Sequence, residues 1–384
     1  MAVFLLIVLS VYGLINFYIL RRAWRSLAGF PDARLAVAAL LGFLVLCYPA
    51  GRILARLGRN PFTTFFIGTG ALYMAVMTYL LLAVLVIDLF RLANAFVPFF
   101  PRSWTAAPQR AGLVLFAVTA GVTLLVVAGG AWNASHARLR ELSFSVDKKA
   151  GDRQGLRIAM ASDIHLSTVG ARSRLAKLVE SINALEPDII LLPGDIVDES
   201  MTAAEESRLT AIFRQLRAPL GVFAVLGNHE YYSGLEESLA FLRASGITVL
   251  QDESVRVGDA FYLLGRKDPT ALRQGEERMP LARIMADGKI DASLPLILLD
   301  HQPIRLGQAM EAGIDLELSG HTHAGQLFPL NLINKRIYEQ NWGTLRKGKT
   351  QYYVSCGFGT WGPPVRTGSV PELLLIRVAF RGTP

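Results

Sequence analysis

Cysteine is scarce in this chain of 384 residues, which contains only Cys47 and Cys356. A small secreted domain held together by disulfides needs many more cysteines, so that class is excluded. Charged residues are also few, at 18%, whereas hydrophobic residues reach 52%. A disordered chain has the opposite balance, because it lacks the apolar surface needed to form a core.

Acidic residues are almost missing from the N-terminal third. Residues 1–132 contain two, Asp32 and Asp88, against ten arginines and no lysine. Residues 133–384 hold 29 basic and 29 acidic residues, so the net charge of +8 belongs entirely to the N-terminal third. A basic face for nucleic acid is therefore not expected on the rest of the chain, and we predict no nucleic-acid partner.

Four long apolar runs, over residues 2–20, 35–50, 64–89 and 111–132, explain the scarcity of charge. A bilayer core about 30 Å thick needs about 20 apolar residues per helix, a length that all but the second run reach. Tryptophans lie near the run ends, as interfacial aromatic residues do. We therefore predict an all-α transmembrane domain of about four helices over residues 1–132, embedded in the lipid bilayer. Buried core helices of a soluble protein are the alternative.

Arginines between the runs predict how the helices cross the membrane. The first connection carries four arginines and the third carries three, including Arg102, while the second also carries three. The positive-inside rule then places the first and third connections in the cytoplasm and the N-terminus outside. With four spans the chain returns to the outside after residue 132. We therefore expect a multi-pass integral membrane protein whose C-terminal domain is extracytoplasmic.

After residue 132 the composition becomes that of a globular domain. Residues 133–155 are mixed and polar, which predicts a linker and a strand leading into a domain over residues 156–384. Short apolar runs then alternate with amphipathic stretches, a pattern typical of α/β folds. Helices are predicted at 174–185, 205–216 and 235–244. Strands are predicted at 156–161, 188–192, 222–226, 261–264, 294–299, 316–318, 352–355 and 373–378.

Histidine is rare, with six in the chain, and five of the six lie in short polar blocks that follow predicted strands. Loops at strand ends are where α/β folds place their functional sites. In chain order the blocks are Asp163-Ile164-His165, Gly194-Asp195, Gly227-Asn228-His229-Glu230, His301 and Gly320-His321-Thr322-His323.

These blocks predict a binuclear metal centre. Carboxylate and amide oxygens together with imidazole nitrogens suit Mn²⁺, Fe or Zn²⁺, and the blocks offer no thiolate. Asp163 and His165 alternate on an extended segment and so can reach one ion. His321 and His323 can do the same, or a bend between them can send each ring to a different ion. Asp195 can bridge two ions with its two oxygens.

The five blocks, in this order, resemble the signature of calcineurin-like metallophosphoesterases over residues 155–384. The segment 355–366 also resembles a membrane-associated phosphodiesterase branch of that superfamily. The resemblance implies an α/β fold, an αββα sandwich of two mixed sheets, and two divalent metal ions as cofactors. It implies that one ion is held by Asp163, His165, Asp195 and His323, and the other by Asp195, Asn228, His301 and His321.

Three further side chains near these blocks have candidate roles. His229 is not a ligand in the implied scheme and is our candidate general acid, which would protonate the leaving alkoxide. Glu230 either orients His229 or caps the following helix. Asp300 is either a partner of a ligand histidine or an ordinary strand-end carboxylate.

The segment 326–350 interleaves apolar and aromatic residues with five basic ones, close to the predicted site. On a membrane-anchored domain this composition favours a lipid or lipid-linked phosphoester substrate. A packed lid with solvated lysines is the alternative. Arg366 is a candidate for binding a substrate phosphate, and an ordinary surface arginine is the alternative.

The sequence thus predicts a membrane-anchored, metal-dependent phosphoric ester hydrolase. Its substrate bond is a phosphodiester, a pyrophosphate or a phosphomonoester, with the phosphodiester favoured, and the metals would activate water for the attack. A membrane sensor or scaffold that uses the same fold only for binding is the alternative, although such a protein need not keep every ligand position. The oligomeric state is not predicted.

Overall fold

The structure is a computed structural model that describes residues 2–101, 104, 106–166, 170–199 and 201–382. The chain divides into two compact units. One comprises residues 1–132 with 362–365, and the other comprises residues 133–361 and 366–384.

Within the described residues, the first unit has four helices that are long and apolar enough to cross a membrane. They are α1 (Ala2–Ser26), α2 (Pro31–Ala55), α3 (Pro61–Phe96) and α4 (Pro108–Ala134). All four predicted helices are confirmed, and each is longer than predicted. The second apolar run, residues 35–50, is shorter than a bilayer span requires. Helix α2, which contains it, has 25 residues and a length of about 37 Å.

The helix ends explain this extra length. Helices α2, α3 and α4 each begin at a proline, whose fixed φ suits the first helical turn. Asn60 caps α3, because its side chain accepts a 3.0 Å hydrogen bond from the backbone N–H of Thr63. Arginine is a good helix former, so helices continue past the arginines at which the apolar runs end. Arg102, one of the arginines that predict orientation, lies outside the described residues.

Polar and small residues join the helices of this unit. The hydroxyl of Tyr73 in α3 donates a 2.5 Å hydrogen bond to Asn16 in α1. Gly70 of α3 lies so close to the backbone of Tyr48 in α2 that a larger side chain would not fit. Small residues and interhelical hydrogen bonds are common means of helix association in membranes.

The second unit contains two six-stranded sheets. In spatial order the first sheet comprises β1 (Arg138–Val146), β12 (Glu372–Phe380), β2 (Gly155–Met160), β3 (Ile189–Pro193), β4 (Val222–Val225) and β5 (Thr248–Val249). The second comprises β10 (Gly343–Lys347), β11 (Thr350–Val354), β9 (Leu316–Ser319), β8 (Leu296–Leu299), β7 (Phe261–Gly265) and β6 (Glu253–Val257). Both sheets are mixed, since β12 is antiparallel to β2 and both β6 and β10 are antiparallel to their neighbours.

Apolar side chains of the two sheets meet in one buried core, which includes Ile158 and Leu374 of the first sheet and Leu263 and Ile297 of the second. Separate apolar clusters attach helices to the outer face of each sheet. The unit is therefore the αββα sandwich expected from the sequence. Its helices are α5 (Ala171–Ala184), α6 (Ala203–Phe213), α7 (Asn228–Ser233), α8 (Leu235–Ala244), α9 (Thr270–Arg273), α10 (Leu281–Asp287), α11 (Gly307–Glu311) and α12 (Leu330–Ile337).

The predicted strands and helices of this unit are all present, with ends shifted by a few residues. Strand β1 is the entry strand predicted within residues 133–155, and it adds nine residues to the first sheet beside β12. Strands β5, β6 and β10 were not predicted. All four strands lie at sheet edges. Edge strands carry many polar side chains, so their apolar signal is weak.

Candidate metal centre

The predicted metal ligands lie after the carboxyl ends of strands in both sheets. Strands β2, β3 and β4 of the first sheet lead to Asp163, His165, Asp195 and Asn228, and strands β8 and β9 of the second sheet lead to His301, His321 and His323. Because the sheets share one core, these loops meet at one place. The aspartates and histidines among the predicted ligands belong to groups of three that share members, and within each group the potential ligand atoms lie within 4.8 Å of one another.

Five of these seven residues have backbone φ angles in the left-handed region, between 49° and 72°: Asp163, His165, Asp195, His321 and His323. Residues other than glycine adopt this conformation rarely, at a cost of about 1–2 kcal/mol. Such strain persists only where the surrounding structure imposes it, and it is concentrated at functional sites. Here it turns the chain sharply after three of the strands.

Asp163, His165 and His323 form one group of potential ligands. Nε2 of His165 lies 2.9 Å from Nε2 of His323, which in turn lies 3.5 Å from Oδ1 of Asp163. Asp163 and His165 are fully buried. Three potential ligand atoms therefore converge on one small volume.

Asp195, His301 and His321 form the second group. Oδ2 of Asp195 lies 3.1 Å from Nε2 of His301 and 4.0 Å from Nε2 of His165. Asp195 thus lies between the two groups. His321 belongs to the second group and His323 to the first, so the chain bends between these histidines and separates their rings.

Three buried atoms of these residues have no hydrogen-bond partner in the described part of the chain: Oδ2 of Asp163, Oδ1 of Asn228 and Nδ1 of His321. A buried polar atom left unpaired costs about 1–3 kcal/mol. All three are oxygen or imidazole nitrogen atoms of the kinds that bind divalent metals. The side chains present therefore fit a metal centre.

The electrostatics of the site also suit metal binding. Burial, together with the neighbouring His301, lowers the pKa of His321 to about 3. Burial and the nearby His165 hold the pKa of His323 well below its ordinary value. Both imidazoles are therefore neutral at pH 7. The neutral form is the one that binds a metal ion.

The carboxylate of Asp195 favours positive charge beside it. Burial acts to raise the pKa of Asp195, but His301 outweighs burial and holds this pKa below its ordinary range. Burial likewise acts to lower the pKa of His301, but Asp195 raises it well above the ordinary value. A cation, either a proton or a metal ion, is thus stabilised at this point of the site.

Asp198, which lies outside the five sequence blocks, connects a potential ligand with His229. Its Oδ1 accepts hydrogen bonds from Nδ1 of His165 at 3.1 Å and from Nδ1 of His229 at 2.5 Å. A carboxylate bound to Nδ1 fixes the tautomer and leaves Nε2 for another partner. The sequence feature that could have identified Asp198 is its position three residues after Asp195. By distance alone His229 could also be a ligand, since it forms an overlapping group with His165 and Asp195.

Glu230 does not orient His229. It is fully buried, and its carboxylate accepts hydrogen bonds of 2.6–3.1 Å from the backbone N–H groups of Gly227, Asp195, Ile196 and Val197. The sequence left two roles open for Glu230, orienting His229 or capping a helix, and the structure shows the capping role. Glu230 caps α7 and ties this helix to the loop of Asp195.

Arg366 contacts protein groups beside the first group of potential ligands. It is fully buried. Its guanidinium donates hydrogen bonds to the carbonyls of Cys356 at 2.7 Å and Gly359 at 2.5 Å, and to the hydroxyl of Ser369 at 2.9 Å. Nη2 also lies 3.0 Å from Nδ1 of His323. Through these contacts Arg366 holds the loop after β11 beside the first group, and its role in binding a substrate phosphate stays a prediction.

Asp300 pairs with arginines rather than with a ligand histidine. Its Oδ2 accepts hydrogen bonds from Arg278 at 2.6 Å and from Arg266 at 3.3 Å. Nδ1 of His301 instead lies 2.8 Å from the backbone carbonyl of Pro193. The partner that orients His301 is therefore a main-chain group.

Residues 156–325 match the family model of calcineurin-like phosphoesterases. A protein of Aquifex aeolicus, named an uncharacterized metallophosphoesterase, is 36% identical over 229 residues, which are 59% of this chain and 86% of that protein. A protein of the same name from Helicobacter pylori J99 is 35% identical over 243 residues, 63% of this chain and 64% of that protein. The chain belongs to the calcineurin-like metallophosphoesterase family, which confirms the resemblance found in the five blocks.

Some similar proteins also have a membrane part. A Bos taurus protein named transmembrane protein with metallophosphoesterase domain is 35% identical over 233 residues, which are 57% of this chain and 52% of that protein. The match thus spans about half of the bovine relative and slightly less than two thirds of the Helicobacter one. The family uses divalent metals, and the histidine–aspartate groups of this chain could bind them.

Proposed function

We propose that this chain is a membrane-anchored hydrolase that cleaves the phosphodiester bond of a lipid or lipid-linked substrate at a two-metal site. The carrying observation is the convergence of two histidine–aspartate groups on Asp195. Membership of a phosphoesterase family supports the reaction type. The four long apolar helices support the membrane anchor.

The ligand scheme follows the two groups. Asp163, His165 and His323 would hold one ion, His301, His321 and Asn228 would hold the other, and Asp195 would contact both. When bound, the ions stabilise negative charge on the phosphoryl group and lower the pKa of a water molecule, so that hydroxide is available near neutral pH. The unpaired Oδ1 of Asn228 and Nδ1 of His321 support this assignment.

We assign the role of general acid to His229. Its Nδ1 is bound to Asp198, so Nε2 is the nitrogen that can donate a proton to the oxygen of the leaving group as the P–O bond breaks. Burial acts to lower the pKa of His229, but the hydrogen bond to Asp198 and the charge of Asp195 outweigh burial and raise it. A raised pKa extends the pH range over which the imidazole is protonated, which is the form that an acid catalyst needs.

Helix α12 supports a lipid substrate. Its apolar side chains Leu330, Leu332, Ile333 and Ile337 are between 48% and 68% exposed, and none of its residues is buried. Its last turn carries Lys335 and Arg336. This exposure favours contact with a lipid over the packed lid that was the alternative. An exposed apolar face with cations beside it suits the boundary between lipid headgroups and acyl chains.

The same helix is attached to the loop between His321 and His323. The side-chain amide of Asn334 donates a 3.2 Å hydrogen bond to the carbonyl of Thr322. The ring of Tyr338, which follows the helix, lies 6.0 Å from the ring of His321. A lipid held by α12 would thus have its headgroup next to the metal ligands.

The proposal is tested by hydrolysis of bis(p-nitrophenyl) phosphate by the full chain in detergent with Mn²⁺. We expect hydrolysis by the wild type, faster than that of p-nitrophenyl phosphate. Asp195→Asn should lose bound metal and at least 100-fold in kcat, because both ions lose a ligand. Metal content is measured by elemental analysis of the purified protein.

Asp259→Asn is the matched control, because the side chain of Asp259 is 93% exposed and forms only a surface ion pair with Arg256. It should keep wild-type metal content and rate. Unchanged metal and rate in Asp195→Asn would refute the ligand scheme. A faster reaction with the monoester would keep the metal centre but overturn the preference for diesters.

A further inference from the structure

The four helices of the first unit enclose a cleft of about 210 Å³ that the proposed hydrolysis does not use. Its walls are formed by all four helices and are mainly apolar, with Leu40, Leu44, Val84, Phe116 and Leu124 among the lining residues. Unfilled space between helices forfeits packing contacts, and in a membrane those contacts drive helix association. An apolar chain of suitable width would restore them.

Charged residues lie at one end of this cleft. Arg22 of α1 and both Asp88 and Arg91 of α3 line it. Asp88 forms an ion pair with Arg22, accepts a hydrogen bond from Tyr18, and lies 3.4 Å from Arg91. One carboxylate thus faces two arginines, so the lining residues keep one net positive charge. The side chain of Arg91 is 39% exposed, which leaves it accessible to a ligand.

The surrounding helix ends add to this positive charge. Arg21 and Arg25 lie near the end of α1, Arg34 lies in the first turn of α2, and Arg110 lies in the first turn of α4. At these described helix ends there is one acidic residue besides Asp88, namely Asp32 in the first turn of α2. An anionic headgroup is therefore attracted to this end, at about 1 kcal/mol per basic residue near a membrane surface.

We propose that the cleft binds one acyl chain of an anionic phospholipid, with the lipid phosphate beside Arg91. The apolar walls hold the chain, and the excess of arginine selects the headgroup. This binding site is independent of the proposed hydrolase reaction. It would make an anionic lipid a bound component of the four-helix unit.

Native mass spectrometry of the full chain in detergent tests the proposal. Dioleoyl phosphatidylglycerol should bind with a stoichiometry of one and at least fivefold more tightly than dioleoyl phosphatidylcholine. Arg91→Gln should remove this preference, a loss of about fivefold in affinity for phosphatidylglycerol. Arg56→Gln is the control, because Arg56 is exposed at the other end of α2.

A second pair of variants tests the acyl-chain pocket. Ala120→Leu adds volume to a residue that lines the cleft, and should weaken binding of both lipids at least tenfold. Ala117→Leu makes the same change at an exposed position of α4 outside the cleft lining and should bind as the wild type does. Circular dichroism confirms that each variant is folded. Equal binding of the two lipids by the wild type, or wild-type binding by folded Ala120→Leu, would overturn the proposal. Arg91→Gln decides it if Ala120→Leu does not fold.

Discussion

Asp198 connects two histidines for which we propose different tasks. Its carboxylate holds the ring of His165, a proposed metal ligand, and the ring of His229, the proposed acid. Because one oxygen binds both Nδ1 atoms, both rings present Nε2 to the site. The position of a single carboxylate therefore determines the orientation of two functional side chains.

The acid role of His229 predicts a dependence on the leaving group. His229→Ala should lower kcat by about 10²- to 10⁴-fold for a dialkyl phosphodiester, whose alkoxide must be protonated as it leaves. The loss should be much smaller for bis(p-nitrophenyl) phosphate, because p-nitrophenolate is stable without a proton. Steady-state rates on the two substrates, at equal metal content, provide the measurement.

The pH profile provides an independent control for this role. An acid catalyst loses activity as pH rises through its pKa, and Asp198 raises the pKa of His229. In Asp198→Asn that pKa falls, so the decline in the alkyl diester rate should move to lower pH. Equal losses on both substrates in His229→Ala, with no shift in Asp198→Asn, would show that His229 has another role.

Gly194 illustrates how closely the loops approach one another. Its φ is 82°, and an added Cβ would lie 2.6 Å from Nδ1 of His301. Gly194→Ala should therefore suffer both backbone strain, about 1 kcal/mol, and overpacking, a further ~1–3 kcal/mol. Denaturant unfolding of the solubilised chain measures the sum, and metal content should fall with it.

Gly313→Ala separates the two effects. Gly313 has a φ of 71°, but an added Cβ would have no atom within 4 Å. This variant should show only the backbone cost and keep its metal. If both alanine variants lose the same stability, the close approach of Gly194 to His301 is unimportant.

At the scale of secondary structure, α12 of the sandwich unit departs from ordinary globular packing. A helix on a soluble domain normally buries its apolar stripe. Here that stripe is exposed while a side-chain amide of the same helix is bonded to the ligand loop. The element is therefore held at the site by polar contacts, and its apolar face remains available to a lipid.

Leu332→Asp tests the contribution of this face. Hydrolysis of a phospholipid diester in vesicles should fall about tenfold, because an apolar side chain that enters the interface is lost. Hydrolysis of the soluble bis(p-nitrophenyl) phosphate should be unchanged. Leu272→Asp alters a similarly exposed leucine on α9, at 59% against 49%, and should affect neither substrate. Equal vesicle rates in the two variants would argue against a lipid-binding role of α12.

At the scale of the whole molecule, the charge of the chain is divided between its two units. The net positive charge belongs to the helical unit, and the sandwich unit contains equal numbers of basic and acidic residues over residues 133–384. The arginines therefore lie in the unit for which we predict a role in helix orientation, and not in the sandwich unit that holds the candidate metal centre. Their greater number at the ends joining α1 to α2 and α3 to α4 favours a cytoplasmic location for those ends.

A reporter fusion tests this orientation. Alkaline phosphatase fused after Pro384 should be active, because this enzyme folds only outside the cytoplasm. With four spans, the C-terminus lies on the same side of the membrane as the N-terminus, which we predict to be outside. The same reporter fused after Pro101, between α3 and α4, should be inactive. The reverse pattern would invert the proposed topology and place the hydrolase domain in the cytoplasm.

Apolar patterning predicts the central strands because both of their faces are buried. Strands β3 and β8 are continuous apolar runs whose residues are all buried. The pattern fails at the sheet edges, where β6 and β10 mix polar and apolar residues. Helix lengths were underestimated for a related reason, since an apolar run ends at an arginine but a helix need not.

The sequence by itself determined the two-part character of this protein and the identity of its site chemistry. A lysine-free, arginine-bounded apolar third indicates a membrane anchor, and five polar blocks after strands indicate a metallophosphoesterase, since both signals are local. Only the tertiary structure decided which residues meet. His165 and His323 lie 158 positions apart in the sequence, and yet their Nε2 atoms are 2.9 Å apart. Packing likewise brings the fully buried Arg366 beside His323. Contacts of this kind depend on how two sheets pack, and no short segment of the chain encodes that packing alone.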